Sequence, residues 1–238
     1  MKGILWKIKN RLHQKIKLFF YKNFPVKLEE NIFLNRKEYN TFLKLEVSFE
    51  KAVTINLEEL NFEKSIDFDS VSKVFFTDGE TVNRNIIFSP HYKLIKLYQK
   101  IGDIDLIIKD LESTDYYKFF MSFNKIGQKT NLIDPQQKHI VNYERADIED
   151  KVRKFIELYD FIMKEGYLSG RFKGNYICVL QQPFSLSRFQ VPYNDKFSGY
   201  EIISGHHRAS ILAALGFMKV NVLLMKDNHP GKHSIKKL

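Results

Sequence analysis

The sequence predicts a mixed α+β fold, and three observations carry that expectation. From Ala146 onward, apolar residues recur first at helical spacing, then in short strand-length runs, then in both patterns again. Glycines punctuate these segments, with Gly166 and Gly216 closing helices and Gly205 standing where a strand hands over to a helix. The 238 residues are 44% hydrophobic and 28% charged, which is enough to bury a sizeable core.

Taken in order, residues 1–24 form a basic amphipathic pattern. Ile4, Leu5, Ile8, Leu12, Ile16 and Phe19 share one face at 100° per residue, with Lys7, Asn10, Gln14 and Lys17 mostly opposite. Residues 1–28 carry eight Lys and Arg and no acid. No apolar run reaches the roughly 18–20 residues that cross a bilayer, and no small-residue cleavage site follows. Two readings fit: a helix lying on an anionic membrane surface, or a helix packed on its own domain with its lysines in solvent.

Residues 44–88 hold β-favouring pieces, "LEVSF", "AVTINL", "KVFFT" and "NIIF". Residues 91–112 read as helix interrupted at Gly102, 115–125 as helix, and 128–143, with Pro135, as a loop. From Ala146 to Glu165 a helix is expected on Ile148, Val152, Phe155, Ile156 and Tyr159. Strands are expected at 175–180, 200–203 and 220–225, with a polar, aromatic excursion over 181–198 and a helix over 208–215. The expected organisation is a basic helix (1–24), an α/β extension (25–139) and a C-terminal α+β domain (140–238).

The net charge of +10 is concentrated at the ends. Residues 1–28 contribute +8 and residues 226–238 contribute +3, which leaves 29–225 near neutral. A nucleic-acid reader carries its basic footprint on the folded domain, so this distribution argues against one. The single cysteine, Cys178, excludes an intramolecular disulfide and a cysteine-based zinc cluster, and fits a reducing cytoplasm.

The stretch with the most chemistry is Ser204-Gly205-His206-His207-Arg208. Glycine permits a sharp turn, and the unpaired N–H groups that follow, with the helix dipole, make an anion site. Arg208 adds a permanent charge and a donor fork, and His206 and His207 can donate hydrogen bonds or move a proton. The spacing is neither GxxxxGK[ST] nor GxGxxG. Simple capping by Ser204 is the other reading of the same residues. Metal binding is disfavoured, because no HExxH pattern supplies further ligands.

These residues resemble the ParB/sulfiredoxin superfamily, in which a strand leads into G-x-x-R, a helix, an "LG" turn and a "VPV"-type strand. Gly205 to Arg208, Leu215-Gly216 and Val220-Asn221-Val222 match. Upstream, "VRKFIELYDFIMKEGYL" resembles the family's "LAESIKExG" helix, with Arg145 where an arginine opens that box. The resemblance covers roughly residues 140–226 and implies a compact ParB/sulfiredoxin-like domain that binds ATP, ADP or CTP, with Mg2+, through Ser204 to Arg208 and Arg145. Sulfiredoxins read G-C-H-R, and here His206 replaces the catalytic cysteine. Free serine kinases read D-G-H-H-R, and here Ser204 replaces the carboxylate. ParB proteins continue into DNA-binding and dimerisation regions, whereas about 12 residues follow the last expected strand, so no sequence-specific DNA binding is expected.

The whole chain also resembles ParB-like proteins of bacterial surface-glycan clusters, in which "TDYYKFF", Thr114 to Phe120, is reminiscent of a Tyr-rich segment. An aromatic core helix is the other reading of that segment. Together the resemblances imply a nucleotide-dependent phosphotransferase acting on a sugar or other hydroxyl compound of cell-surface polysaccharide synthesis. Its expected catalytic residues are His206, His207 and Asp160, with Asp115, Tyr116 and Glu201 near the substrate and Glu157 as a further candidate base. The alternative is a non-catalytic nucleotide-binding switch or scaffold that docks to membrane-bound glycan enzymes. Either would work in the cytoplasm, or at the inner face of the membrane through residues 1–24.

Overall fold

The computed structural model describes residues 26–29, 32–34, 36–44, 47–62, 84–130, 143–167, 175–181 and 199–227. The expected N-terminal helix, the "KVFFT" strand, most of the 128–143 loop, nearly all of the 181–198 excursion and the C-terminal basic end lie outside them.

The architecture is one five-stranded mixed sheet with helices packed on it. A small hairpin, β1 (Val26–Glu29) and β2 (Ile32–Leu34), precedes helix α1 (Arg36–Lys44). The long strand β3 (Val47–Asn56) leads through a 3-10 turn into β4 (Leu60–Phe62). Helices α2 (Pro90–Ile101), α3 (Ile104–Lys109), α4 (Asp115–Thr130) and α5 (Arg145–Glu165) follow. The chain then returns through β5 (Ile177–Gln181), β6 (Tyr200–Ser204), α6 (His206–Ala214) and β7 (Lys219–Asp227).

The strand order is β3-β7-β5-β6-β4. Strand β5 runs parallel to β7 and antiparallel to β6, β3 pairs antiparallel with β7, and β4 pairs parallel with β6. The interior strand β5 is buried from Ile177 to Leu180, as a strand covered on both faces must be. Its alternation divides the core. Ile177 and Val179 join Phe62, Ile202, Val222 and Leu224 beneath the helices, while Cys178 and Leu180 join Leu34, Phe42, Val47, Leu223 and Met225 on the other side.

Strands β3 and β4, from the 25–139 stretch, complete the sheet of β5, β6 and β7, and one apolar cluster runs from Ile55 to Leu224. One expectation needs correction. The "NIIF" segment is a 3-10 turn, Ile86–Phe88, rather than a strand. Asn85 accepts a hydrogen bond from the Ile87 amide, and Ser89 then caps α2 with Pro90 in its first turn, so capping chemistry outweighs β propensity there. The helix break at Gly102 is as expected, with that residue left-handed at φ 72°.

Helix α6 begins at His206, two residues earlier than its apolar pattern predicts, which places both histidines in its first turn. Gly205 makes this possible. It sits at φ 95°, and a Cβ there would lie 2.9 Å from Ile177 Cα. Gly216 also has positive φ, at 81°, but open space around it. Gly205→Ala is therefore expected to cost about 1–3 kcal/mol in urea unfolding, clearly more than Gly216→Ala. Equal losses would show that backbone conformation alone, and not the close approach to β5, decides the cost.

Candidate functional site

The first turn of α6 meets two distant parts of the chain. His91, one residue into α2 after the Ser89 cap, has its ring centroid 4.7 Å from that of His207 and 6.5 Å from that of His206. Tyr116, in the first turn of α4, forms a 2.9 Å hydrogen bond between its hydroxyl and His207 Nε2. Phe155 of α5 meets the His207 ring edge-on at 4.5 Å, and Phe62 of β4 lies against the rings of His206 and His91 at 4.5 and 5.2 Å. Three imidazoles and a phenol thus share a site walled by aromatic rings. Beneath it, the Ser89 and Ser210 hydroxyls lie 3.4 Å apart.

The burial has an electrostatic consequence. Water is stripped from the rings, which disfavours the imidazolium form. Burial first, then His206, Lys151 and Arg208, push His207 down to about 3. Burial lowers His206 to about 4, with Arg208 acting in the same direction and a hydrogen bond to the Ile202 carbonyl opposing. His91, only 4% exposed, is held well below the ordinary range by burial and by the other two histidines. The cluster is therefore neutral near pH 7. Burial also raises the Tyr116 phenol, keeping it protonated.

The site nevertheless reaches the surface. Ser204 to Arg208 are all partly exposed, while Ala209 to Leu212 are buried. Helix α6 begins with Gly205, and not Ser204, at its cap position. The first helical amides, on His206 and His207, sit at this accessible end with the positive pole of the helix. Arg208 donates to the Tyr176 carbonyl just before β5, so its guanidinium also ties α6 to the sheet.

The remaining candidates are placed elsewhere. Arg145 is exposed and bonded to Glu112, Glu149 and the Ile108 carbonyl. Its ion pairs anchor the start of α5 on the α3 region. Asp160 lies near Tyr98, close enough to add to burial in raising that phenol, about two helical turns beyond His91 along α2. Glu201 is fully buried, 3.9 Å from Arg84. Asp115 pairs with Lys93 at 2.8 Å. Glu157 is exposed on α5. Of the expected residues, the structure gathers His206, His207 and Tyr116.

Two residues were not expected. Lys151, on α5, lies over the rings of Phe120 and Tyr143 and is close enough to depress both His91 and His207. His91 follows Ser89-Pro90, a helix-start signal that would have placed it at an amide-rich end. The Thr114 to Phe120 segment matches its core-helix reading, since Tyr116, Phe119 and Phe120 are buried, and Tyr116 also bonds His207.

No family model matches the chain, no curated protein matches it, and no solved structure matches it. Among the described residues, no group of three or more His, Cys, Asp or Glu side chains is placed to hold a metal ion. No described helix is long and apolar enough to cross a membrane.

The neutral cluster makes the fold acid-sensitive. Each of the three histidines has a folded-state pKa below the 6.5 of the free side chain, so unfolding takes up protons between these values. The stabilisation is complete above about pH 6.5 and is lost as pH falls towards 3–4. Chemical unfolding across pH 4–7 should show stability falling on acidification with an uptake of about two protons or more. His207→Phe should reduce that uptake. A stability that is flat from pH 7 to 4 would contradict the neutral cluster.

Proposed function

We propose that this chain is a nucleotide-dependent phosphotransferase acting on a hydroxyl group of a sugar or related compound. The observation that supports it is the placement of the accessible α6 N-terminus directly against the buried His91 and Tyr116 and the half-buried His207. The first is suited to phosphate oxygens, the second to an uncharged polar group. Phosphoryl transfer depends mainly on positioning and on neutralising charge, with little demand for a strong base. The amides of His206 and His207 would meet the phosphates, and Arg208 and Lys151 would supply positive charge at the margins. Any Mg2+ would enter with the nucleotide, held largely by its phosphates and water. A ParB/sulfiredoxin-like fold and a setting in cell-surface polysaccharide synthesis belong to the same proposal and rest on the resemblance of residues 140–226 and 114–120.

One observation favours the second reading, a nucleotide-binding switch without turnover. Asp160, Glu201 and Asp115 each lie beside other partners, so none of these three carboxylates stands ready as base. Turnover of labelled nucleotide with a polyol acceptor separates the two readings.

Binding itself is tested by thermal shift with ATP, ADP, CTP and GTP, each with and without Mg2+. A ligand at about 100 times its dissociation constant stabilises the folded state by about 2.7 kcal/mol. At least one of these nucleotides should raise the midpoint accordingly, and the gain should shrink in Arg208→Lys relative to that variant's own baseline. If none of the four shifts the midpoint, both nucleotide readings fail.

A further inference from the structure

Two nitrogens in the cluster stand out. His91 Nδ1 and His206 Nε2 are buried, and neither has a hydrogen-bond partner. Buried polar atoms in folded proteins are rarely left this way unless something else meets them. The Ile202 carbonyl lies close enough to the His206 ring to favour a proton on it. Since Nε2 is unpartnered, that proton belongs on Nδ1, toward the carbonyl. In the neutral ring Nε2 is then a bare acceptor. It calls for a donor, and it repels a carboxylate or phosphate oxygen.

We infer that His91 and His206 together bind one hydroxyl group of an uncharged ligand, which donates to His206 Nε2 and accepts from His91 Nδ1. The ring centroids lie 6.5 Å apart, compatible with one bridging oxygen making two hydrogen bonds of about 2.8–3.0 Å. Phe62 lies against both rings and closes the site on its apolar side. His207 is not available for this role, because Tyr116 occupies its Nε2.

The inference rests on the proposed phosphotransferase reading only for its second reactant, a nucleoside triphosphate at the α6 N-terminus. With both bound, the hydroxyl oxygen forms a bond to the terminal phosphorus while the bond from that phosphorus to the bridging oxygen breaks. The hydroxyl proton passes to His206 Nε2 and on to solvent, and the nucleoside diphosphate leaves. His91 holds the oxygen in line, and it fixes which hydroxyl reacts.

The test uses the full chain with 15N-labelled histidine and follows the imidazole nitrogens at pH 7. The probes are glycerol, methyl α-glucoside and N-acetylglucosamine, each taken to saturation, with sodium phosphate as an anionic comparison. At least one uncharged probe should move His91 Nδ1 and His206 Nε2 together along one saturable curve, and phosphate should not. His91→Leu should weaken that probe at least tenfold, whereas His91→Asn, which keeps a polar atom near the Nδ1 position, should retain affinity within about threefold. If no uncharged probe moves either nitrogen, the pair holds a buried water only and the inference is overturned, even where nucleotides bind. If a probe binds and no nucleotide does, the hydroxyl site stands and the phosphotransferase reading falls. The wild-type titration decides the matter even where His91→Leu fails to fold.

Discussion

The hydrogen bond between the Tyr116 hydroxyl and His207 Nε2 is the contact on which the rest of the site depends. It joins the first turn of α4 to the first turn of α6, elements far apart in the chain, inside a wall of Phe155, His91 and Phe120 rings. A buried imidazole and a buried phenol each lose hydration, and each is costly unless the other satisfies it. The bond offsets part of that loss and fixes the orientation of His207. With His207 fixed, His91 packs edge-on against it, and His206 is left facing Phe62. The neutrality of all three histidines follows from the same burial, so packing and electrostatics share one cause here.

The backbone sets this arrangement up. Strand β5 occupies the middle of the sheet, and α6 must start against it for His206 and His207 to point beneath the helices. Gly205 allows the approach to Ile177, and Arg208 secures it by donating to the Tyr176 carbonyl. Thus glycine and arginine in this stretch have clear structural work, and the charge of Arg208 is shared between the sheet and any phosphate at the helix end. The cap position is held by Gly205, which has no side chain, and residues 204–208 at the helix end are half-exposed. A buried neutral cluster behind an accessible amide-rich end suits a reaction between an anion and an uncharged hydroxyl.

Much of this was legible in the sequence, for identifiable reasons. Helices α2, α4 and α5 follow from apolar periodicity with glycine or cap signals at their ends, and β5, β6 and β7 from short apolar runs. The turn at Gly205 and the importance of His206 and His207 follow from residue type. What stayed hidden was the pairing of distant segments. Nothing local says that Ser89-Pro90-His91 packs on α6, or that β3 and β4 complete the C-terminal sheet. Asp160 and Arg145 were drawn from a resemblance along the chain, and the structure shows each committed to neighbours, Tyr98 and the Glu112–Glu149 pair. "NIIF" misled because its three β-favouring residues, Ile86, Ile87 and Phe88, are outweighed by the capping side chains of Asn85 and Ser89.

The most direct test of the central claim is a double-mutant cycle on the joining bond. Tyr116→Phe and His207→Phe are compared singly and together by urea unfolding at pH 7. Each single change leaves a buried polar atom without its partner, and the double change removes both, so the losses should be strongly non-additive. A coupling of about 1–2 kcal/mol, with the double variant more stable than the sum of single losses predicts, is the expected result. Losses that add within about 0.5 kcal/mol would show that α4 and α6 are not tied through this pair, and the site as described would not hold.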